Sequence, residues 1–309
     1  MKYKLTEETI EVCGHTLYRI ECVTAFANVK VGDKGGFIEK EANLSQIDNA
    51  KVSGNAWVYG NAKVFGNALV SGNAKVSGDA WVYGDAEVYG DALVSGDALV
   101  SGNAKVFGNA LVSGNAKVYG NALVYGDAKV FSNARVYGDA NVFSNAKVSG
   151  DAEVFGNAWV FSNAKVYGDA KVFSNAKVYG DAEVYGNAWV SGDAKVYGDA
   201  KVFSNAEVSG DALVSGNAKV YGDAWVYGDA EVCGDACVKN KKGYIVFKNW
   251  WSSGRYFTWT SSNDMWRVGC FYGTGEELIA KAYKDSELSG REFERIVKYV
   301  ESIKDQFKD

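Results

Sequence analysis

Thirty-two repeat units follow one another without interruption from Asn49 to Lys239, thirty-one complete hexapeptides and a last unit that lacks the closing Gly or Ser. Each reads Asn or Asp, Ala, x, Val, x, Gly or Ser, as in Asn55-Ala56-Trp57-Val58-Tyr59-Gly60. Alanine recurs at every sixth residue from Ala50 to Ala236, and a valine stands two residues after each. A six-residue unit is too small to bury a core alone, so it must stack on its neighbours, and the chain is expected to form a solenoid of short strands. Alternation within Ala-x-Val-x sends Ala and Val inward and both variable residues outward. The Gly-Asn/Asp or Ser-Asn/Asp pair supplies each bend, because Gly relaxes the backbone and Asn or Asp can hydrogen-bond its own turn. Six residues per side suit a triangular turn of eighteen, so about eleven turns stacked roughly 4.8 Å apart would give a prism about 50 Å long.

Three segments are expected: an N-terminal β cap with an irregular first turn over residues 1–47, the repeat body over 48–239, and a C-terminal α+β module over 240–309. In the first, Ile10-Glu11-Val12 and Leu17-Tyr18-Arg19-Ile20 alternate around Gly14-His15-Thr16 as a hairpin would. Gly36-Phe37-Ile38 and Ala42-Asn43-Leu44 resemble repeat units, with two extra residues near Ile47-Asp48 shifting the register. In the last segment, Tyr244–Phe247, Tyr256–Trp259 and Trp266–Phe271 read as strands, and Gly275–Tyr283 and Arg291–Lys304 as helices. Phe293, Ile296, Val297, Val300 and Ile303 form one apolar stripe on the second helix.

Composition narrows the function classes. The net charge of −5, with 15 Lys/Arg against 21 Asp/Glu in residues 48–239, argues against a nucleic-acid or anionic-membrane partner. There is no proline, which suits a body whose amides are needed for ladders. No segment approaches the roughly 18 apolar residues of a membrane span, and Met1-Lys2-Tyr3-Lys4 opens no signal-peptide pattern. Cys13, Cys22, Cys233, Cys237 and Cys270 make an odd set without framework spacing, which points to reduced thiols and a cytoplasmic setting.

The variable residues carry what chemistry the repeat has. Read every eighteenth residue, one face aligns Trp57, Lys75, Leu93, Leu111, Lys129, Lys147, Lys165, Glu183, Lys201 and Lys219, with Phe131, Tyr167, Tyr185, Phe203 and Tyr221 in its second outward column. A second face aligns Phe107, Tyr125, Phe143, Phe161, Tyr179 and Tyr197, and the third Tyr119, Tyr137, Phe155 and Phe173. Such ring columns stabilise neighbouring turns, and a long strip of them also offers a surface for self-association or an elongated partner. The lysines keep the body soluble; beside rings they would alternatively make a polyanion groove. Trp159, Trp189 and Trp225 are candidate stacking sites for a small nucleotide or sugar held between subunits.

Hexapeptides of this kind resemble the left-handed parallel β-helix of the hexapeptide-repeat acyltransferases. The head, Ala25-Phe26-Ala27-Asn28-Val29-Lys30-Val31-Gly32 through Gly35-Gly36-Phe37-Ile38 and Asn43-Leu44-Ser45-Gln46, together with the Asn-Ala-x-Val-Tyr-Gly units, is similar to the YdcK-like bacterial and phage proteins over residues 20–238. The segment Val268-Gly269-Cys270-Phe271-Tyr272-Gly273-Thr274-Gly275-Glu276-Glu277 is similar to a small C-terminal module of phage proteins. The resemblance implies a left-handed helix, a phage or prophage origin, homo-oligomers with trimers favoured, and an acyltransferase using acyl-CoA. It also implies a histidine base on a turn, and that feature does not carry over, because the one histidine, His15, lies outside the repeats. The corner aspartates recur as bend formers, so no carboxylate stands apart as a replacement base.

Cys233 with Cys237 lacks the spacing and four ligands of a zinc site, while calcium on the acidic corner of Asp193, Asp211 and Asp229 stays open. Cys270 between Val268 and Phe271 reads as a buried structural thiol. The expected function is therefore a non-enzymatic scaffold that needs no cofactor and no metal. It would present ring and lysine ladders to a partner or to itself, with residues 240–309 engaging a host or phage protein.

Overall fold

A computed structural model describes residues 1–307. The chain divides into two compact units, Met1–Gly168 and Asp169–Asp309, with the boundary inside the repeat. Each unit is mainly β, and between them they carry about eleven turns of parallel β-solenoid.

Every hexapeptide contributes a two-residue strand of one outward residue and its valine, such as Lys129–Val130. Pairing is parallel and joins residues eighteen apart, as in Leu111↔Lys129 and Lys129↔Lys147, which builds three sheets, one per side. The amide of each outward residue donates to the carbonyl of an inward residue one turn ahead: Lys51 N to Ala68 O and Ser53 N to Val70 O, both at 2.9 Å. All the alanines and nearly all the valines of the repeat have no exposure at all, so the core is two aligned aliphatic columns per side. Corner glycines adopt positive φ, Gly120 at +72°, and a Cβ there would meet the Gly138 amide nitrogen of the next turn at 3.0 Å. Five serines, among them Ser132 and Ser144, take the same left-handed conformation in place of glycine. Corner Asn side chains link successive turns, as in Asn49 Nδ2 to Asn67 Oδ1 and Asn67 Nδ2 to Asp85 Oδ1.

The first unit opens with β1 (Tyr3–Val12) and β2 (His15–Cys22), an antiparallel hairpin turning at Cys13-Gly14, where both residues have positive φ. The turn thus starts one residue earlier than the sequence suggested and leaves His15 and Thr16 in the strand, because Cys13 and Gly14 carry the mirror-image turn that two-residue hairpins favour. Strand β3 (Lys34–Ile38) pairs antiparallel with β2 and parallel with the first complete turn, Phe37↔Trp57 and Ile38↔Val58. Those partners are twenty residues apart, as are Leu44 and Val64, so the two inserted residues do displace the first turn. Ala42, expected to point inward, is exposed instead. Asn43 is buried in a 3-10 turn, and its amide donates to Gly60 O at 3.1 Å and Ala62 O at 2.8 Å. Lys2 does the same for Asp48 O and Ala50 O. These side chains supply donors for carbonyls that have no turn behind them.

The second unit ends in four antiparallel strands, β4 (Tyr244–Lys248), β5 (Tyr256–Thr260), β6 (Met265–Val268) and β7 (Phe271–Gly273). The sequence had suggested three. Gly269, at φ +57°, and Cys270 form a turn that splits the last one, which leaves Cys270 exposed rather than buried. Helix α1 (Gly275–Asp285) begins at a reciprocal cap between Thr274 and Glu277. Helix α2 (Glu287–Ile303) begins four residues earlier than expected, because Ser286 caps it by accepting from the Ser289 amide. Phe293, Val297 and Val300 bury the expected stripe among Phe257, Trp259, Trp266 and Leu278. Hydroxyls from this module close the last turn of the repeat. Thr258 Oγ1 accepts from Glu231 N at 2.8 Å, Ser262 Oγ from Cys237 N at 2.7 Å, and Tyr244 OH from Tyr227 N at 3.3 Å.

Because Val130 and Ala128 are fully enclosed, Val130→Ala should cost about 2 kcal/mol and Ala128→Leu about 1–3 kcal/mol, whereas Lys129→Ala should stay within about 0.5 kcal/mol; denaturant midpoints measure all three. The N-terminal closure should also be acid-sensitive. Burial pushes the Asp48 carboxyl up, but hydrogen bonds from Ser45, Gly66 N–H and Ala50 N–H, with Lys2 beside it, together hold it below its ordinary value. A depressed carboxylate stabilises above its unfolded pKa of about 4 and loses that contribution as pH falls through its own lower value. The protection factor of the Gly66 amide, its exchange rate relative to an unstructured amide at the same pH, should therefore fall on acidification, and Asp48→Asn should remove the acid-dependent part.

Candidate functional site

The outward residues form the columns that eighteen-residue spacing implies. In the first unit, Tyr89, Phe107, Tyr125, Phe143 and Phe161 stack at 4.9 Å between successive ring centroids, with planes within 2° of parallel. Tyr119, Tyr137 and Phe155 do so on another side. In the second unit Tyr179 stacks on Tyr197, and Tyr185, Phe203 and Tyr221 form a run at 4.9 and 5.1 Å. Phe131 stands alone, since Ser113 and Ser149 occupy its neighbouring turns. Tyr167, like the stacked rings, is half-buried. Stacking covers the ring faces, so a column presents mostly ring edges. Trp159, Trp189 and Trp225 are more open, at 41–45% exposure, as are Trp81 at 41% and Tyr227 at 62%. They do not form one group: Trp189 and Trp225 share a column on either side of Glu207, and Trp159 belongs to the first unit.

Lysines meet different neighbours along their column. Lys129, Lys147 and Lys165 stand directly in register and exposed. In the second unit Lys201 lies 3.5 Å from the Glu183 carboxylate, with Lys219 one turn on. A separate polar cluster joins Arg135, Glu153 and Tyr137, whose hydroxyl donates to Glu153 at 3.0 Å; burial first, then that hydrogen bond, pushes the Tyr137 phenol up to about 12.

His15 starts β2 and places Nδ1 2.9 Å from Glu39 Oε1, beside the Tyr59 ring. Glu39 also accepts from the Gly60 amide at 2.6 Å. The hydrogen bond to His15 is the largest influence on the Glu39 carboxyl, which lies below its ordinary value. Beneath the N-terminal hairpin a cavity of about 260 Å³ is lined by Ile20, Cys22, Phe26, Val29 and Leu44.

All five cysteines are free, and burial pushes the Cys233 thiol up to about 11, so it is a poor nucleophile at neutral pH. Among the described residues no group of His, Cys, Asp and Glu is arranged to hold a metal ion, the Asp193, Asp211 and Asp229 corner included. No helix among them is long and apolar enough to cross a membrane.

One concave feature of the second unit combines open rings with polar groups. A groove of about 920 Å³ beside the last turn is lined by Trp225, Tyr227, Tyr256, Glu207, Asp229 and Lys241. Of these, Trp225 was legible from the sequence as a candidate ring for stacking a small nucleotide or sugar. The others were not, because Tyr256 and Lys241 come from outside the repeat and Tyr227 looks like any other ladder tyrosine until the repeat stops above it.

No protein-family model matches the chain, and no curated protein is similar enough to match it.

Phe143 and Phe131 sit in the same Phe-Ser-Asn context, but only Phe143 has ring neighbours on both sides. Each stack adds about 0.5–1.5 kcal/mol beyond area burial. Phe143→Ala should therefore destabilise by about 1–3 kcal/mol more than Phe131→Ala, read as the difference in denaturant midpoint.

Proposed function

We propose that this chain is a non-enzymatic binding scaffold, a left-handed β-helix that displays ring and lysine ladders to a partner or to further copies of itself. The observation that carries this reading is the 4.9 Å stacking of rings turn upon turn. It repeats one surface element along an axis rather than converging unlike groups on a point. A repeated array suits multivalent or self-complementary contact, where modest contacts add along the length. On this reading the chain assembles as a homo-oligomer, with a trimer favoured, and residues 240–309 engage a host or phage protein. The free cysteines agree with a reducing cytoplasm.

A second reading has one observation in its favour. His15 held by Glu39 is the arrangement that orients an imidazole as a general base. A YdcK-like acyltransferase would use it toward an acceptor beside acyl-CoA. Against this, His15 belongs to the N-terminal hairpin and lies outside the repeats.

Native mass spectrometry of the full chain, joined to an acetyl-CoA turnover assay, separates the two. The scaffold reading expects an oligomer without a CoA-sized adduct, no turnover, and weaker assembly in Lys129→Glu/Lys147→Glu. A monomer at micromolar concentration that retains no partner would sink it. Turnover that disappears in His15→Gln would establish the transferase instead.

A further inference from the structure

We infer that the groove beside the last turn of the repeat is a binding site for a neutral oligosaccharide. Three observations converge there. First, the groove is open for a structural reason. Elsewhere in the repeat a Cβ on a corner glycine would meet the backbone of the following turn at about 3 Å. At the end of the repeat, Gly222 is backed by Lys239 O and Gly234 by the Tyr272 ring, but nothing lies within 4 Å of the Gly228 position. The end of the repeat at Lys239 thus covers one corner of the last turn, Tyr272 of the C-terminal module covers a second, and the third is uncovered. It is nevertheless fixed next to the opening, since Tyr244 OH accepts from the Tyr227 amide.

Second, the opening is walled by three rings outside the stacked aromatic columns, with Lys241 over Trp225 and Lys248 over Tyr256. Trp225, Tyr227 and Tyr256 are 45%, 62% and 39% exposed. Flat amphipathic rings of this kind give large contact area at small entropic cost. They suit the apolar C–H face of a pyranose as well as a nucleobase.

Third, the polar groups choose between those two. Glu207 and Asp229 line the same groove, and Lys241 places its ammonium 4.6 Å from the Trp225 ring centroid. Lys248 places a second ammonium 5.4 Å from the Tyr256 ring centroid, so two carboxylates match two ammoniums and leave no excess of the clustered cations that a phosphate chain needs. The same carboxylates accept strong charge-assisted hydrogen bonds from sugar hydroxyls. The volume, about 920 Å³, falls in the range of small-ligand clefts and accommodates a few sugar rings.

The test is calorimetric titration of the full chain with neutral tri- to pentasaccharides of β-1,4-glucose, β-1,4-N-acetylglucosamine and α-1,4-glucose, with ATP and oligothymidylate in parallel. Saturable binding of at least one oligosaccharide is expected, little changed between low and high salt. Trp225→Ala and Asp229→Asn should each weaken it about tenfold or more. Trp225→Phe should retain part of it, and Trp81→Ala, an open tryptophan of the first unit, should leave it intact. Far-ultraviolet dichroism checks that each variant keeps its strands. Absence of binding across the three sugar series would overturn the assignment, as would sugar binding indifferent to Trp225→Ala. Salt-sensitive binding of ATP or oligothymidylate through Trp225 would replace it with a nucleotide site.

Discussion

The backbone ladder between residues eighteen apart is the constraint from which the rest of this structure follows. Each outward amide reaches one turn ahead, so a turn is complete only when another turn accepts from it. The inward side chains must then be small and alike, because a column with an invariant rise of about 4.8 Å tolerates no bulge. Alanine and valine meet that demand at every unit. The two ends break the ladder and need substitutes. In the first unit, the Lys2 ammonium and the Asn43 amide donate to carbonyls of the opening turn. In the second, Thr258, Ser262 and Tyr244 hydroxyls accept from amides of the closing turn. A hydroxyl or a charged head can satisfy the edge without offering a further strand, which blocks end-to-end growth.

The same translation organises the side chains. Asparagine can both accept and donate, so it passes a corner hydrogen bond onward. Aspartate can only accept, and it ends the run: Asn49 to Asn67 to Asp85, Asn103 to Asn121 to Asp139, and Asn187 to Asn205 to Asp223. The mixture of the two residues at the bends therefore has a physical consequence beyond bend geometry. Rings obey the same rule. Where aromatics succeed one another they bury each other's faces, which moderates the apolar surface that their number alone would suggest. The rings left open are tryptophans at the other outward site and those at the end of the repeat, where no following turn covers them. That is where a binding role gains support from structure rather than from counting.

Much was legible beforehand. The six-residue period dictated three parallel sheets, the identity of the core, and the membership of every column. The two-residue insertion before the regular run was also visible in the spacing of Phe37 and Leu44 against their partners. Misreadings fell where local chemistry outranked pattern. Ala42 looked like a core alanine, yet Asn43 is buried because its amide is needed by two carbonyls. Cys270 looked enclosed between apolar neighbours, yet Gly269 turns the chain and exposes it.

The sequence by itself determined the repeating body, because translation symmetry makes one unit's environment the environment of all. Only tertiary structure decided what happens where that symmetry ends. Which hydroxyls close the last turn, which corner stays open above Gly228, and which of the many tyrosines and tryptophans face a groove all depend on residues of the C-terminal module meeting the final hexapeptides. No periodicity links those segments, so their juxtaposition is set by packing and by the unpaired amides at the end of the ladder.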